Sequence, residues 1–297
     1  MQMYSFRDAN IRKTWALFVL FLLVIIGVGW VFSYIWQSPV ILYIAVAFSI
    51  VMNITAYWKS DSIALSLSRA KEADQTEYRE LYRIVDNLCI SQGMPSPRVF
   101  IIDDKSENAF AAGRNPSHAV IALTTGIIDV LDRSELEGVI AHELSHIKNY
   151  DTLLSTAAVV LVGFLSIASD IFLRSMWFRG NDRRNGGGGI LMLVGIVLAI
   201  LAPLAGVLMQ LAISRKREYL ADASGALMTR YPEGLASALQ KIALSPPMRN
   251  ARTATAHLFF ANPFKKDTAN PAKNSFLAGL FMTHPPIQAR IAKLREM

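Results

Sequence analysis

Two uncharged stretches near the start of the chain constrain what it can fold into. Residues 15–36 run from Trp15 to Trp36 without a charged side chain, and after only Gln37 and Ser38 a second uncharged run extends from Pro39 to Trp58. At ~1.5 Å of rise per helical residue, each run is long enough to cross a ~30 Å hydrocarbon core. Two intervening residues leave no room for a folded domain, so the runs are expected to form a tight helical hairpin. The first is longer than the apolar region of a signal peptide and lacks a small-residue cleavage pattern, so it reads as an uncleaved anchor. Arg7, Arg12 and Lys13 precede the hairpin, and Lys59, Arg69 and Lys71 follow it. By the positive-inside rule both flanks face the cytoplasm.

Composition agrees with a bilayer-bound chain. Of 297 residues, 53% are hydrophobic and only 18% charged, where soluble domains carry nearer ~25% charged residues. The same apolar content excludes a disordered chain. A net charge of +7 and a pI near 9.5 point toward anionic lipid and topology rather than nucleic acid in a chain this apolar. The single cysteine, Cys89, excludes an intramolecular disulfide and a cysteine-based zinc site.

The remainder divides by polarity. A cytoplasmic segment, 1–14, leads into the hairpin, 15–58; the mixed stretch 59–151 forms the first part of a folded domain. Residues 77–92 have helical apolar spacing through Leu81, Ile84, Val85 and Leu88. Val99–Ile102 and Ala119–Leu123 are strand-like and joined by a polar loop containing Asn115-Pro116, which predicts a small sheet. Ser134 with Glu137 three residues on has the capping-box pattern, predicting a helix from there past Asn149. Residues 152–213 hold two more apolar runs, 152–173 and 190–213, around a loop with Arg174, Arg179, Arg183, Arg184 and four consecutive glycines, Gly186–Gly189. Their lengths favour crossing, giving up to four spans, although the loop arginines then face the outer side, against the positive-inside rule. The last part, 214–297, is again mixed and predicted mostly helical.

Within the predicted helix stands His142-Glu143-Leu144-Ser145-His146. Residues four apart share a helix face, so both imidazoles can reach one metal ion while Glu143 points at water bound to it. A catalytic zinc takes a third protein ligand. Glu218, in Arg215-Lys216-Arg217-Glu218-Tyr219-Leu220-Ala221-Asp222, is a candidate, with Asp222 one turn on placed to accept the outer N–H of a ligand histidine. On spacing alone the same segment also reads as a charged helix with local salt bridges.

These residues, with Asn108-Ala-Phe in the strand-rich region, the Glu218-x-x-x-Asp222 segment and His284-Pro285-Pro286, make the chain resemble the HtpX-type membrane zinc metallopeptidases, relatives of the CAAX prenyl proteases, over essentially its whole length. The resemblance implies a mainly α integral membrane protein with a cytoplasmic zincin-like α+β protease domain formed by 59–151 and 214–297. It also implies one Zn2+ per chain on His142, His146 and Glu218, with Glu143 as catalytic acid/base. The implied setting is the bacterial inner membrane, acting on misfolded membrane proteins or unfolded polypeptides in quality control. His284 would then lie near the cleft as an oxyanion stabiliser, and Asn108 would bind substrate backbone. His118 and His257 read as structural. The strand Ala119–Leu123, if on the sheet edge, would hold an extended substrate by backbone hydrogen bonds. Oligomeric state is open. An intramembrane protease is disfavoured by the charges around the motif, and a specialised CAAX processor by its need for more spans. A non-catalytic metal-binding or scaffolding protein would have no need of Glu143, and a transporter would carry more central charges than Asp170.

Overall fold

Residues 2–179, 214–249, 255–263 and 285–297 are described by the structure, a computed structural model of the chain. Helix α1 (Gln2–Ile35) and helix α2 (Pro39–Trp58) form the expected hairpin. The turn is built from local chemistry. Gln37 takes a left-handed conformation (φ 51°), the Ser38 N–H reaches back to the Ser33 carbonyl at 3.0 Å, and Pro39 opens α2 at a position where no amide donor is needed. A Cβ on Gly29 would lie 2.3 Å from the Ala45 Cβ, so the glycine is what lets the two backbones close. Both helices are long and apolar enough to cross a membrane. Their outer faces expose Trp15, Leu23, Trp30, Tyr43 and Ile44, an apolar surface suited to lipid rather than water. Helix α1 starts well before the apolar run and carries the charged flank with it, a point that matters at the site.

After α3 (Ser60–Leu67) the chain builds a four-stranded sheet from β1 (Lys71–Glu72), β2 (Arg98–Ile102), β3 (Ala109–Gly113) and β4 (Ala119–Thr124), in the order β1-β2-β4-β3. Strands β2 and β4 are parallel; β1 on β2 and β3 on β4 are antiparallel. Both predicted strands are present, but the stretch between them is not simply a loop. It contains β3, whose Ala-Phe-Ala-Ala-Gly composition lacks the β-branched residues that mark a strand. Strand β4, Ala119–Thr124, is interior, and the edges are β1 and β3. Alternation sorts the sheet onto two cores. Ile101, Ala111 and Ile121 face one side with Ile140 and Leu144; Phe100, Phe110 and Ala122 face the other with Leu65 and Val159. Helix α4 (Arg79–Gln92) packs its Leu81, Ile84, Val85 and Leu88 stripe into the first core and ends on Gly93 at φ 62°.

A short helix α5 (Thr125–Val130) precedes α6 (Arg133–Lys148), which bears the His-Glu motif. The capping box lies two residues earlier than the sequence pattern suggests. Asp132 accepts the Glu135 amide at 3.0 Å and Glu135 accepts the Asp132 amide at 2.9 Å, whereas Glu137 pairs with Arg133. Aspartate caps as well as serine and here starts the helix sooner. Helix α6 stops at Lys148, with Tyr150 left-handed (φ 59°), and α7 (Asp151–Arg179) follows. The first half of α7, including Leu154, Ala157 and Leu161, is buried with Leu17 and Phe21 of α1 and Ala56 of α2. The partner run 190–213, the glycine-rich loop and His284 lie outside the described residues.

Helices α8 (Arg215–Thr229), α9 (Pro232–Leu244) and α10 (Ile287–Arg295) complete the domain. Glu218, Asp222 and Gly225 share one face of α8, and that face lies on α6: a Cβ on Gly225 would sit 3.0 Å from the His142 amide nitrogen. Gly225→Val is therefore expected to push α8 off α6. Overpacking of this kind costs about 1–3 kcal/mol, measurable as a lowered Tm in detergent, with weaker metal binding because Glu218 rides on the same helix.

Candidate active site

Helix α6 buries most of its residues, and its motif face opens on a cleft lined by His142, Glu143, His146, Glu218, Ala111 and Phe260, among others. The two Nε2 atoms of His142 and His146 are 3.1 Å apart. Glu218 brings one carboxylate oxygen to 3.9 Å from the first and the other to 3.6 Å from the second. These three side chains form a group able to hold a metal ion, with one ligand atom from each lying within 4.8 Å of the others. The separations suit the purpose: ligands at ~2.0–2.2 Å around a tetrahedral ion stand ~3.3–3.6 Å from one another.

Each imidazole is held from behind. His142 Nδ1 lies 3.0 Å from Asp222 Oδ1, and His146 Nδ1 lies 2.9 Å from Asp151 Oδ2. With both Nδ1–H groups donating to carboxylates, the Nε2 lone pairs converge on one point, an arrangement that requires a positive charge there. Burial, the larger influence, pulls the His142 pKa down to about 4 against the pull of Asp222. Burial acts the same way on His146, but the Asp151 hydrogen bond and the Glu218, Asp151 and Glu143 charges together outweigh it and raise the pKa to about 9.

Arg290 braces the second layer. Its Nε and Nη2 donate to the two Asp222 oxygens at 2.9 and 2.7 Å, and Nη1 stands 3.9 Å from Glu218. Burial would raise the Asp222 pKa, but the Arg290 charge and the hydrogen bonds from His142 and Arg290 hold it at about 2. The guanidinium also lies over the Phe260 ring at 4.7 Å, and Phe260 meets the His142 ring edge-on at 4.9 Å.

The structure thus brings His142, Glu143, His146, Glu218 and Asp222 together. Asn108 stands aside from them: its side chain donates to the Ala261 carbonyl at 2.9 Å and accepts the Ala261 amide at 3.1 Å. That pairing, with a Phe110–Phe259 bridge and the Phe260 amide donating to the Ala109 carbonyl at 2.7 Å, lays the 259–261 segment along the first half of the β3 edge. His257 lines the cleft, while His118 is exposed and bonded to Asn115. Sequence reasoning missed Asp151 and Arg290. Asp151 lies beyond the helix end, where spacing carries no information. Arg290 had a signal, since it stands three residues after Ile287 and four before Leu294, a charge on an otherwise buried face.

A family description, Peptidase family M48, matches residues 74–297. A "Protease HtpX homolog" from Caldanaerobacter subterraneus subsp. tengcongensis is 42% identical, covering 99% of this chain and 98% of its own length. Another from Dictyoglomus thermophilum is 44% identical, covering 99% and 94%, and one from Pyrococcus furiosus is 45% identical over 92% of this chain. A solved structure of S. mikatae Ste24p aligns with 98% of this chain and 67% of that one at a TM-score of 0.49 and 16% identity. The chain belongs to peptidase family M48, in its HtpX-type branch of membrane metalloproteases.

Proposed function

We propose that this protein is a zinc-dependent endopeptidase of the bacterial inner membrane that cuts misfolded or damaged membrane proteins from the cytoplasmic side. The observation that carries the reading is the convergence of two backed imidazoles and Glu218 on one point, with Glu143 in the same cleft. The donor set, two imidazoles and a carboxylate with an open side, is that of a catalytic rather than a structural zinc. A bound zinc ion supplies Lewis acidity, polarising a scissile carbonyl and making water at the site more acidic.

The chain's own groups do the rest. Glu143 takes the proton from the attacking water and hands it to the departing amine, so one carboxylate serves both halves of the reaction. Asp222 and Asp151 hold the imidazoles in the tautomer that leaves Nε2 bare. Strand β3, which reaches the cleft at Ala111, orients an extended peptide by main-chain hydrogen bonds. Recognition of backbone rather than side chains suits unfolded segments of varied sequence. Lysine and arginine on both flanks of the hairpin support a cytoplasmic cleft, and four spans are part of this proposal.

The test is cleavage of an unstructured protein by the full chain in detergent after chelator stripping. Activity is expected to vanish on stripping and to return with about one equivalent of zinc per chain. Metal bound one-to-one with no cleavage of several unfolded substrates would favour a metal-binding or scaffolding protein instead.

A further inference from the structure

The cytoplasmic start of α1 lies against the turn that joins α6 to α7. Asn10 is buried, 3% exposed. Its Nδ2 donates one hydrogen to the Asn149 carbonyl at 2.9 Å and the other to Asp151 Oδ1 at 2.7 Å. The other oxygen of the same carboxylate, Oδ2, is the one 2.9 Å from His146 Nδ1. One turn earlier on α1, the Arg7 guanidinium lies 4.9 Å over the ring of Tyr150. Three consecutive residues of the turn are therefore each touched from a single face of α1.

Backbone hydrogen bonds from the Asn149 and Tyr150 amides to Ser145 and Ile147 form the turn, but Tyr150 has φ 59°, a conformation that costs a non-glycine residue about 1–2 kcal/mol, which the contacts from α1 help to offset. Asp151 must also be aimed. Its Oδ1 takes Asn10 from one side and Arg217 Nε, at 3.2 Å, from the other, which leaves Oδ2 to the imidazole. One donor comes from the membrane hairpin and one from the helix that carries Glu218.

We propose that Asn10 is a positioning residue of the metal centre: by fixing Asp151 and the 149–151 turn it sets the orientation of His146, making the first membrane helix part of the metal site. The proposal rests on the reading of His146 as a metal ligand. Loss of a group hydrogen-bonded directly to a ligand histidine typically weakens metal binding about 10- to 100-fold. Asn10 acts through one further residue, and Arg217 remains, so the expected loss in Asn10→Ala is about fivefold to tenfold, just below that range.

The experiment is zinc affinity of the full chain in detergent micelles, measured by competition with a chromophoric chelator on protein shown to be folded by circular dichroism. Phe18→Leu, which removes the edge-on contact of the Phe18 ring with Tyr57 of α2, about two helical turns on from Asn10, is the control. Weaker zinc binding in Asn10→Ala with Phe18→Leu at the wild-type value is the expected result, accompanied by a shifted visible spectrum of the cobalt-loaded variant. Equal weakening in both variants would overturn the proposal in favour of general helix packing. Unchanged affinity in Asn10→Ala would overturn it while leaving the metal site intact, whereas a wild-type chain that takes up no zinc would remove the metal reading itself. If Asn10→Ala does not fold, the same comparison is made with Asn10→Ser, whose hydroxyl can serve only one of the two acceptors.

Discussion

Glu143→Gln, purified with its metal in place, is expected to lose about 10³-fold in kcat with little change in KM. The amide is nearly isosteric with the carboxylate, so the helix, the cleft and the ligand set are left as they are. What it lacks is the ability to accept a proton from water and to return one to the leaving amine. General acid–base assistance is worth about 10²–10⁴-fold, and 10³-fold corresponds to about 4 kcal/mol of transition-state stabilisation. The check is steady-state cleavage of an unstructured substrate, with zinc content measured on the same preparation. A variant that keeps one zinc per chain and cuts as fast as wild type would remove Glu143 from the chemistry. Loss of zinc together with activity would instead make it a structural support of the site.

Arg290→Met has the largest expected effect on stability. Arg290 is 1% exposed and Asp222 2% exposed, and the arginine supplies both the charge and two of the hydrogen bonds that make a buried carboxylate tolerable. Removing one member of such a pair costs about 3–5 kcal/mol, because the other is left charged and unsolvated. Unfolding should be followed with chelator present, so that loss of metal does not contribute. The pH dependence has a definite sign. In the wild type the Asp222 pKa is depressed from 3.8 to about 2, so its stabilising contribution is full above pH ~4 and is lost as pH falls toward 2. In the variant, burial without the guanidinium raises the same pKa, and protonation then relieves the strain. The gap between the two proteins should accordingly be widest near neutrality and narrow in acid. A gap independent of pH would mean that Arg290 acts through packing against Phe260 rather than through Asp222.

The contribution of the sequence differs from element to element. The hairpin was legible because a bilayer imposes a length and a lack of charge that no neighbouring residue alters. The α4 stripe and the strands β2 and β4 were legible from their apolar patterns. Strand β3 was not, since Ala-Phe-Ala-Ala-Gly becomes a strand through its pairing with β4 and through helices packed on both its faces. The capping box was misplaced because Asp132 and Ser134 are both good caps, and only the packing of Glu135 against Lys241 and Ser237 favours the earlier one. The interior place of β4 is not legible in its own residues, because strand order is not written in any single strand.

The same division runs through the site. The pairing of His142 with His146 and the placing of Glu143 between them follow from local order alone, because residues four apart on a helix meet whatever surrounds it. Local order also makes Glu218 and Asp222 neighbours on one face of a later helix. That this face lies on α6 depends on how the two helices cross, at the close approach of Gly225. Tertiary structure also decided that Arg290 braces Asp222 and that Asn10 and Arg217 aim Asp151. Contacts within one helical turn follow from periodicity, whereas polar contacts between distant segments depend on where helices cross. Burial makes those distant contacts strong and strict, since each buried charge must find its partner.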